Sequence, residues 1–381
     1  MNYKIMHRQQ VIAVANDNSI TQIICKELCP ACFVEGMDIA YWLNSRYVDV
    51  HRSHSRRLFK ALRLKTDAPL EEIISIGHGI SITDNWYIQK ETENLDYDKL
   101  KSYNEELSNI ALNGSPSKQN FDLDGYTELG TVGSFEKAWR YSNGSWYLFK
   151  QGNKAELVSE YYAYSFLKAL SLPVAEYSVF RSQSELGIVQ ECIVSKDFTN
   201  NGLYDFEPFF NYFDDNEDFN YIIPKLNEIE KRYPNKHLLE DYVVMCFCDA
   251  LLFNVDRHNQ NIGFLRDSQS GQILSLAPAF DYNLSLASTK VPVFGKSGDL
   301  MAYFIKNDDC MSIIDNIVPE KNMITDALQK AEQLTLSAFG DTSLNLSPFS
   351  EYIISAYDYY SSARQKYPYS GIEEPNDTKQ I

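Results

Sequence analysis

What most constrains this chain is the order of patterns between residues 237 and 281. Val243, Cys246, Phe247, Ala250 and Leu251 recur at i, i+3, i+4, i+7 and i+8, so the spacing predicts a helix over 237–253 with one buried face. Asn254 ends it. The polar run Asn254-Val255-Asp256-Arg257-His258-Asn259-Gln260-Asn261 therefore falls on a loop directly after a core helix. Residues 262–265 and 273–276 read as a strand pair around the turn 266–271. Ala277-Pro278-Ala279-Phe280-Asp281 then closes the series with an acidic turn.

Helix, polar loop, hairpin and acidic turn follow one another as they do in a kinase C-lobe. Asp256 and Asn261 stand five apart, the spacing at which an Asp orients an attacking hydroxyl and an Asn holds a magnesium ion. Asp281 stands where the metal-binding Asp of a DFG-type turn would stand. Magnesium is a hard ion that takes one or two carboxylates together with phosphate oxygens and water. Asn261 and Asp281 supply one neutral and one charged oxygen. Asp256 stays free of the metal to accept a hydrogen bond from the nucleophile, because phosphoryl transfer rests on positioning and charge stabilisation.

Upstream, the Asn143-Gly144 pair between apolar strands predicts a hairpin ending in Trp146-Tyr147-Leu148-Phe149-Lys150. The stretch 129–140 reads as a glycine-containing hairpin before it. Backbone N–H groups at Gly130, Thr131, Val132, Gly133 and Ser134 would flap over nucleotide phosphates, with Lys150 reaching them from the next strand. Leu157, Tyr161, Tyr164, Phe166, Leu167 and Leu170 predict a helix over 156–170, in which Glu160 is favoured over Glu156 as the partner of Lys150. Glu156 suits the helix N-terminus. Two strands follow at 175–180 and 187–193, with Gln190, Glu191 and Cys192 expected as a hinge that binds an adenine edge. His258 is counted with the nucleotide contacts.

The first 115 residues form a separate accessory region, ended by the breaker cluster Asn113-Gly114-Ser115-Pro116. It holds a strand at 11–15, short helices around Tyr41-Trp42-Leu43 and 58–64, a turn and strand over 81–88, and the apolar series Leu95, Tyr97, Leu100, Tyr103, Leu107 and Ile110. Cys25, Cys29 and Cys32 match the spacing of the cluster-binding signature of radical S-adenosylmethionine enzymes; with His51 or His54 they match a zinc site, and otherwise they are buried thiols. Seven cysteines at irregular spacing argue against a disulfide framework and for a reducing cytoplasm. No signal-peptide pattern is seen at the N-terminus, and no run approaches the roughly eighteen apolar residues of a membrane span. A formal charge of −17 weighs against a nucleic-acid partner. Arg52, Arg56, Arg57, Lys60 and Arg63 are expected to form an exposed basic face.

These segments resemble the HipA-like serine/threonine kinases and, through Asp256-Arg257-His258, are distantly similar to phosphatidylinositol kinases. The resemblance is carried by Lys150 after a hairpin, by Ser159-Glu160-Tyr161-Tyr162, by Leu170-Ser171-Leu172-Pro173-Val174-Ala175-Glu176-Tyr177, by 254–261 and by Leu276-Ala277-Pro278-Ala279-Phe280-Asp281. It covers roughly residues 125 to 365. Val255 stands where an Arg precedes the catalytic Asp in other kinases. The resemblance implies an α+β, two-lobed protein-kinase-like fold with a small β-rich N-lobe at 116–192 and a helical C-lobe at 193–368. It implies transfer of the ATP γ-phosphate to a protein Ser or Thr, often of the kinase itself, and a bacterial toxin or effector with an antitoxin or regulatory partner. An effector would be delivered to a host cell. Lys150 and Glu160 would hold the phosphates, Asp256 would be the base, and Asn261 and Asp281 would bind Mg2+. A lipid or small-molecule kinase and a nucleotide-binding pseudokinase are the alternatives; the acidic chain gives no reason for a membrane partner. Residues 282–299 are expected as an activation segment offering Ser288, Thr289 and Ser297. Closing helices are expected at 322–339 and 347–367, before a disordered tail at 369–381.

Overall fold

Short alternating apolar stretches build a sheet from both ends of the first ninety residues. In a computed structural model, which describes residues 2–17, 19–36, 38–48, 52–65, 68, 70–118, 125–183, 189–233, 236–286, 308–317 and 320–366, strands β1 (Asn2–His7), β2 (Gln10–Asn16), β3 (Ser19–Ile23) and β4 (Trp86–Lys90) form an antiparallel sheet ordered β3-β2-β1-β4. Ile5, Ile12, Ala13, Trp86 and Ile88 bury its inner face against Phe33, Trp42 and Leu43. The strands β2 and β4 were expected. The polar start of β1 and the exposed face of β3 hid the other two.

Helices α1 (Ala31–Val34), α2 (Ile39–Asn44), α3 (Ser55–Ala61), α4 (Leu70–Gly77), α5 (Tyr97–Leu100) and α6 (Glu105–Asn113) complete this region. The apolar series beyond Leu95 is divided between α5 and α6, because Asn104 caps α6 by accepting from the N–H groups of Glu106 and Leu107. Cys25, Cys29 and Cys32 are free thiols. Cys29 and Cys32 are buried in the apolar cluster, and burial pushes the Cys29 thiol up to about 12. Among the described residues no group of three metal-ligating side chains could hold an ion. The basic run is not one exposed face: Arg56, Arg57, Lys60 and Arg63 are exposed, whereas Arg52 is buried.

The small lobe is a second antiparallel sheet, ordered β5-β6-β8-β7, from β5 (Lys137–Ser142), β6 (Ser145–Lys150), β7 (Tyr177–Gln183) and β8 (Val189–Lys196). Asn143 and Gly144 both have positive φ, 50° and 78°, as the tight two-residue turn requires. The helix α7 (Lys154–Ala169) begins in a reciprocal capping box between Asn153 and Glu156. That use of Glu156 leaves Glu160, one turn deeper, for the sheet. The glycine stretch is not a hairpin; 127–130 is a 3-10 turn and the segment up to β5 is irregular.

The large lobe holds β9 (Tyr204–Pro208), β10 (Gly263–Asp267) and β11 (Ile273–Leu276), with helices α8 (Phe210–Phe213), α9 (Phe219–Glu230), α10 (Leu238–Leu251), α11 (Asp308–Ile317), α12 (Lys321–Phe339) and α13 (Ser347–Lys366). One core runs from Tyr162 and Phe166 of α7 through Val243 and Phe247 of α10 to Leu328 and Ile353 of the closing helices. The chain is thus the expected two-lobed α+β arrangement with an added α/β region. His51, the three serine and threonine positions of the expected activation segment, and the tail from 369 lie outside the described residues. Among the described residues no helix is long and apolar enough to cross a membrane.

The first region is seated on the large lobe by buried charge. Arg266 pairs with Glu207 and donates to the carbonyls of Cys29, at 3.0 Å, and Glu27. Glu207, fully buried, also accepts from the Ala31 N–H at 2.6 Å, from Asn211 at 3.0 Å and from the Tyr212 hydroxyl at 2.8 Å. Removing one partner strands the other charge in a dry site. Arg266→Met is expected to lower stability by about 3–5 kcal/mol, measured as the urea midpoint, and Arg266→Met with Glu207→Leu to recover part of it. A single variant that unfolds with the wild type would refute this role.

Candidate active site

The polar loop is shaped by a side chain that it carries itself. Arg257 donates from Nε to Asp249 Oδ2 at 2.8 Å and from Nη2 to Asp249 Oδ1 at 3.0 Å, forming a two-pronged pair with a buried carboxylate of α10. Its Nη1 donates to the carbonyls of Asn261 and Phe280, both at 2.8 Å. Burial alone would weaken the guanidinium charge, but Asp249 outweighs it and raises the pKa of Arg257. One side chain therefore ties the helix end, the loop and the acidic turn together. Within the loop, Asn254 accepts from the Asp256 N–H at 3.3 Å, and Asn261 donates to the Asp256 carbonyl while accepting from the His258 N–H at 2.9 Å.

The acidic turn is set by backbone pairing. The Ala175 N–H donates to the Ala279 carbonyl at 2.9 Å, and the Ala279 N–H to the Pro173 carbonyl at 3.1 Å. Two segments that are distant in sequence and carry the family resemblance are thus bonded to each other. Phe280 packs against Phe198 and Phe206, each at 5.6 Å between centroids. Asp281 takes a φ of 65°, in the left-handed region that Asp tolerates better than most side chains. Its N–H donates to the Tyr177 hydroxyl at 3.3 Å.

Lys150, buried at the end of β6, reaches both lobes. Its Nζ donates to Asp281 and lies 3.1 Å from Glu160 Oε2, within ion-pair distance but without the alignment of a hydrogen bond. Burial works against the lysine charge, yet Asp281 and Glu160 together raise its pKa. One cation is thereby shared by two carboxylates, and they respond differently. Burial opposes ionisation of Asp281, but Lys150 and Lys137 hold it well below the usual carboxylate range. For Glu160, burial outweighs Lys150 and pushes it up. Asp256 is half-buried and raised by burial, partly offset by His258.

A cavity of about 450 Å³ opens between these groups. It is lined by Gly130, Thr131, Val132, Gly133, Ser134, Lys150, Glu160, Asp256, His258, Asn261 and Asp281. Trp42, Arg46, Ser81 and Asp84 of the first region form another part of its wall. The expected hinge residues Gln190, Glu191 and Cys192 do not line it. Gln190 donates to Asn113 at 2.9 Å, Glu191 accepts from Lys154 and Arg181, both at 2.7 Å, and Cys192 is buried against Ala111, Leu112 and Ala138. The reason is strand alternation and length: β8 continues to Lys196, so Ile193 and Ser195 face the cavity and Lys196, Asp197 and Phe198 connect the lobes beside it.

Lys137 was missed. It opens β5, pairs directly with Lys150 across the hairpin, is 8% exposed and lines the cavity. Among the described residues its ammonium has no hydrogen-bond or ion-pair partner, and burial pushes it down to about 8 despite the pull of Asp281. The signal was present, since a two-residue turn at Asn143-Gly144 fixes the register that sets residue 137 opposite 150. Gly130 and Gly133 are demanded locally. A Cβ at Gly130 would stand 1.9 Å from the Ile80 carbonyl oxygen, and Gly133 has a φ of +105°.

No family model matches the chain. Over 62 residues it is 44% identical to the serine/threonine-protein kinase CtkA of Helicobacter pylori, a match covering 15% of this chain and 19% of that protein. The chain thus spans about a fifth of the curated relative that it matches. Among solved structures, the H. pylori proinflammatory kinase CtkA aligns with a TM-score of 0.37 at 21% identity, over 60% of this chain and 93% of that one. HipA from the Shewanella oneidensis MR-1 toxin–antitoxin complex with HipB and operator DNA aligns at 0.48 and 12% identity, over 96% and 97%. Motifs and the 62-residue match point the same way, and the chain is similar to the HipA-like serine/threonine kinases.

Proposed function

We propose that this chain is an ATP- and Mg2+-dependent protein serine/threonine kinase of HipA-like type. The observation that carries the proposal is that Lys150, Glu160, Asp256, Asn261 and Asp281, from four separate segments, line one cavity, with Lys150 of the small lobe bonded to Asp281 of the large one. The residues fit the cofactor. Asp281 is held ionised and Asn261 offers an amide oxygen, the hard donors that Mg2+ takes. Lys137 and Lys150 give two cations for phosphate oxygens, one of them without a partner among the described residues and buried beside the glycine loop. Bound Mg·ATP supplies the γ-phosphoryl group and neutralises charge that develops on its oxygens.

The chain's own groups do the rest. Asp256 accepts the proton of the acceptor hydroxyl as that oxygen bonds to the γ-phosphorus and the bond from this phosphorus to the β–γ bridging oxygen breaks, its electron pair leaving with ADP; the raised pKa of Asp256 makes it a better base than an exposed carboxylate. Asn261 holds the backbone of Asp256 through its carbonyl, so that metal binding and base placement share one residue. Glu160 keeps Lys150 in place if Asp281 turns to the ion. The acceptor as a protein Ser or Thr, phosphorylation of the chain itself, a toxin or effector role and an antitoxin-type partner all belong to this proposal and rest on the family resemblance.

Two measurements test it. Intact mass after incubation with Mg·ATP, alone and with a generic Ser/Thr peptide, is expected to rise by phosphoryl groups in the wild type, at a rate lowered by about a hundredfold or more in Asp256→Ala. Equal behaviour of the two proteins would overturn the assignment; nucleotide-induced thermal stabilisation without turnover would mark a binding module instead. The second concerns pH. Lys137 faces Asp281, Lys150, Arg52 and Glu160, and loses its proton near pH 8 without ligand. Phosphate binding favours the charged form, so ATP affinity is expected to fall as pH rises through about 8. In Lys137→Met that step should vanish; if the step persists, Lys137 does not hold the phosphates.

A further inference from the structure

The glycine loop is held from outside the kinase lobes. Arg52, 2% exposed and just ahead of α3, donates from Nη2 to the carbonyls of Thr131 at 2.7 Å and Gly133 at 2.8 Å, from Nε to Gly133 at 3.2 Å, and from Nη1 to the Lys137 carbonyl at 3.3 Å. Two residues on, the His54 ring lies 3.1 Å from Glu136 Oε2, and its backbone N–H donates to Oε1 at 3.3 Å. One short turn of the first region therefore grips the loop along its length. A guanidinium suits this task because it presents five donors in a rigid plane and no acceptor.

We infer that Arg52 is a positioning residue that orients the loop's N–H groups toward nucleotide phosphates, which makes the first region part of the nucleotide site. The inference rests on the kinase reading above and adds a residue that this reading does not use. Its geometry follows from the peptide unit. In a trans peptide the carbonyl of one residue and the N–H of the next point in opposite directions. Fixing the Thr131 and Gly133 carbonyls on Arg52 turns the N–H groups of Val132 and Ser134 to the other side. That side is the cavity, which residues 130–135 line and Arg52 does not. Gly133, with its left-handed φ, permits the second carbonyl to make this turn.

The test compares wild type, Arg52→Lys and Arg52→Ala by calorimetric binding of ATP and of adenosine, together with hydrogen exchange over 131–136 without ligand. Arg52→Ala is expected to weaken ATP about tenfold, the order of one charge-assisted hydrogen bond, with adenosine unchanged and exchange in the loop faster. Arg52→Lys should fall between, since an ammonium cannot span both carbonyls, and it gives the same reading if the alanine variant does not fold. In turnover the loss should lie in KM for ATP more than in kcat. Equal ATP binding by wild type and variants, equal loss of ATP and adenosine, or unchanged loop exchange would overturn the inference. Wild type that binds neither ligand would overturn the kinase reading itself, while the exchange comparison would still show whether Arg52 orders the loop.

Discussion

The Arg257–Asp249 pair is the fixed point of the large lobe. A buried ion pair gives little net stability against an apolar replacement, because both ions lose their hydration. What it supplies here is geometry. The two prongs on Asp249 set the guanidinium plane at the end of α10, and that plane holds the Asn261 and Phe280 carbonyls at equal distances of 2.8 Å. The loop with the candidate base and the turn with the candidate metal ligand are therefore placed by the same rigid group. The partly exposed loop residues around it gain their order from this interior anchor.

The small lobe meets that anchor through charge. Lys150 is the only cation bonded to Asp281 among the described residues, and Lys137 adds positive potential without a bond of its own. Such an arrangement is poised for exchange. A divalent ion at Asp281 and phosphate oxygens at the lysines would each replace a contact already present or fill one left open. The first region closes the arrangement from a third direction, seated on the large lobe by Arg266 and Glu207 and on the glycine loop by Arg52.

Much of this was legible in the sequence where a single period governed the pattern. The helix α10, the hairpin at Asn143-Gly144 and the strands around residues 266–271 follow from spacing alone, and the polar groups at their ends follow from the helix and strand boundaries. Glu160 was separable from Glu156 because a helix N-terminus has its own use for an acid. The hinge was misplaced because β8 is apolar on successive residues, Ile193 and Val194, so nothing marked where it ends or which face meets the cavity. Arg52 sat unseen within a basic run whose other members are exposed, since its partners are backbone carbonyls about eighty positions away. Asp249 did leave a trace, as an acid beside the apolar stripe of a core helix. Only its pairing with Arg257 across the helix end needed coordinates.

The central claim is that Asn261 and Asp281 share one nucleotide-bound ion opposite Lys150. Calorimetric titration of ATP with and without Mg2+ tests it most directly, in wild type, Asn261→Ala, Asp281→Asn and Lys150→Met. The account predicts tighter binding with Mg2+ in the wild type, loss of that difference in both metal-ligand variants, and weaker binding under both conditions in Lys150→Met. A magnesium dependence that survives unchanged in Asn261→Ala and Asp281→Asn would contradict it.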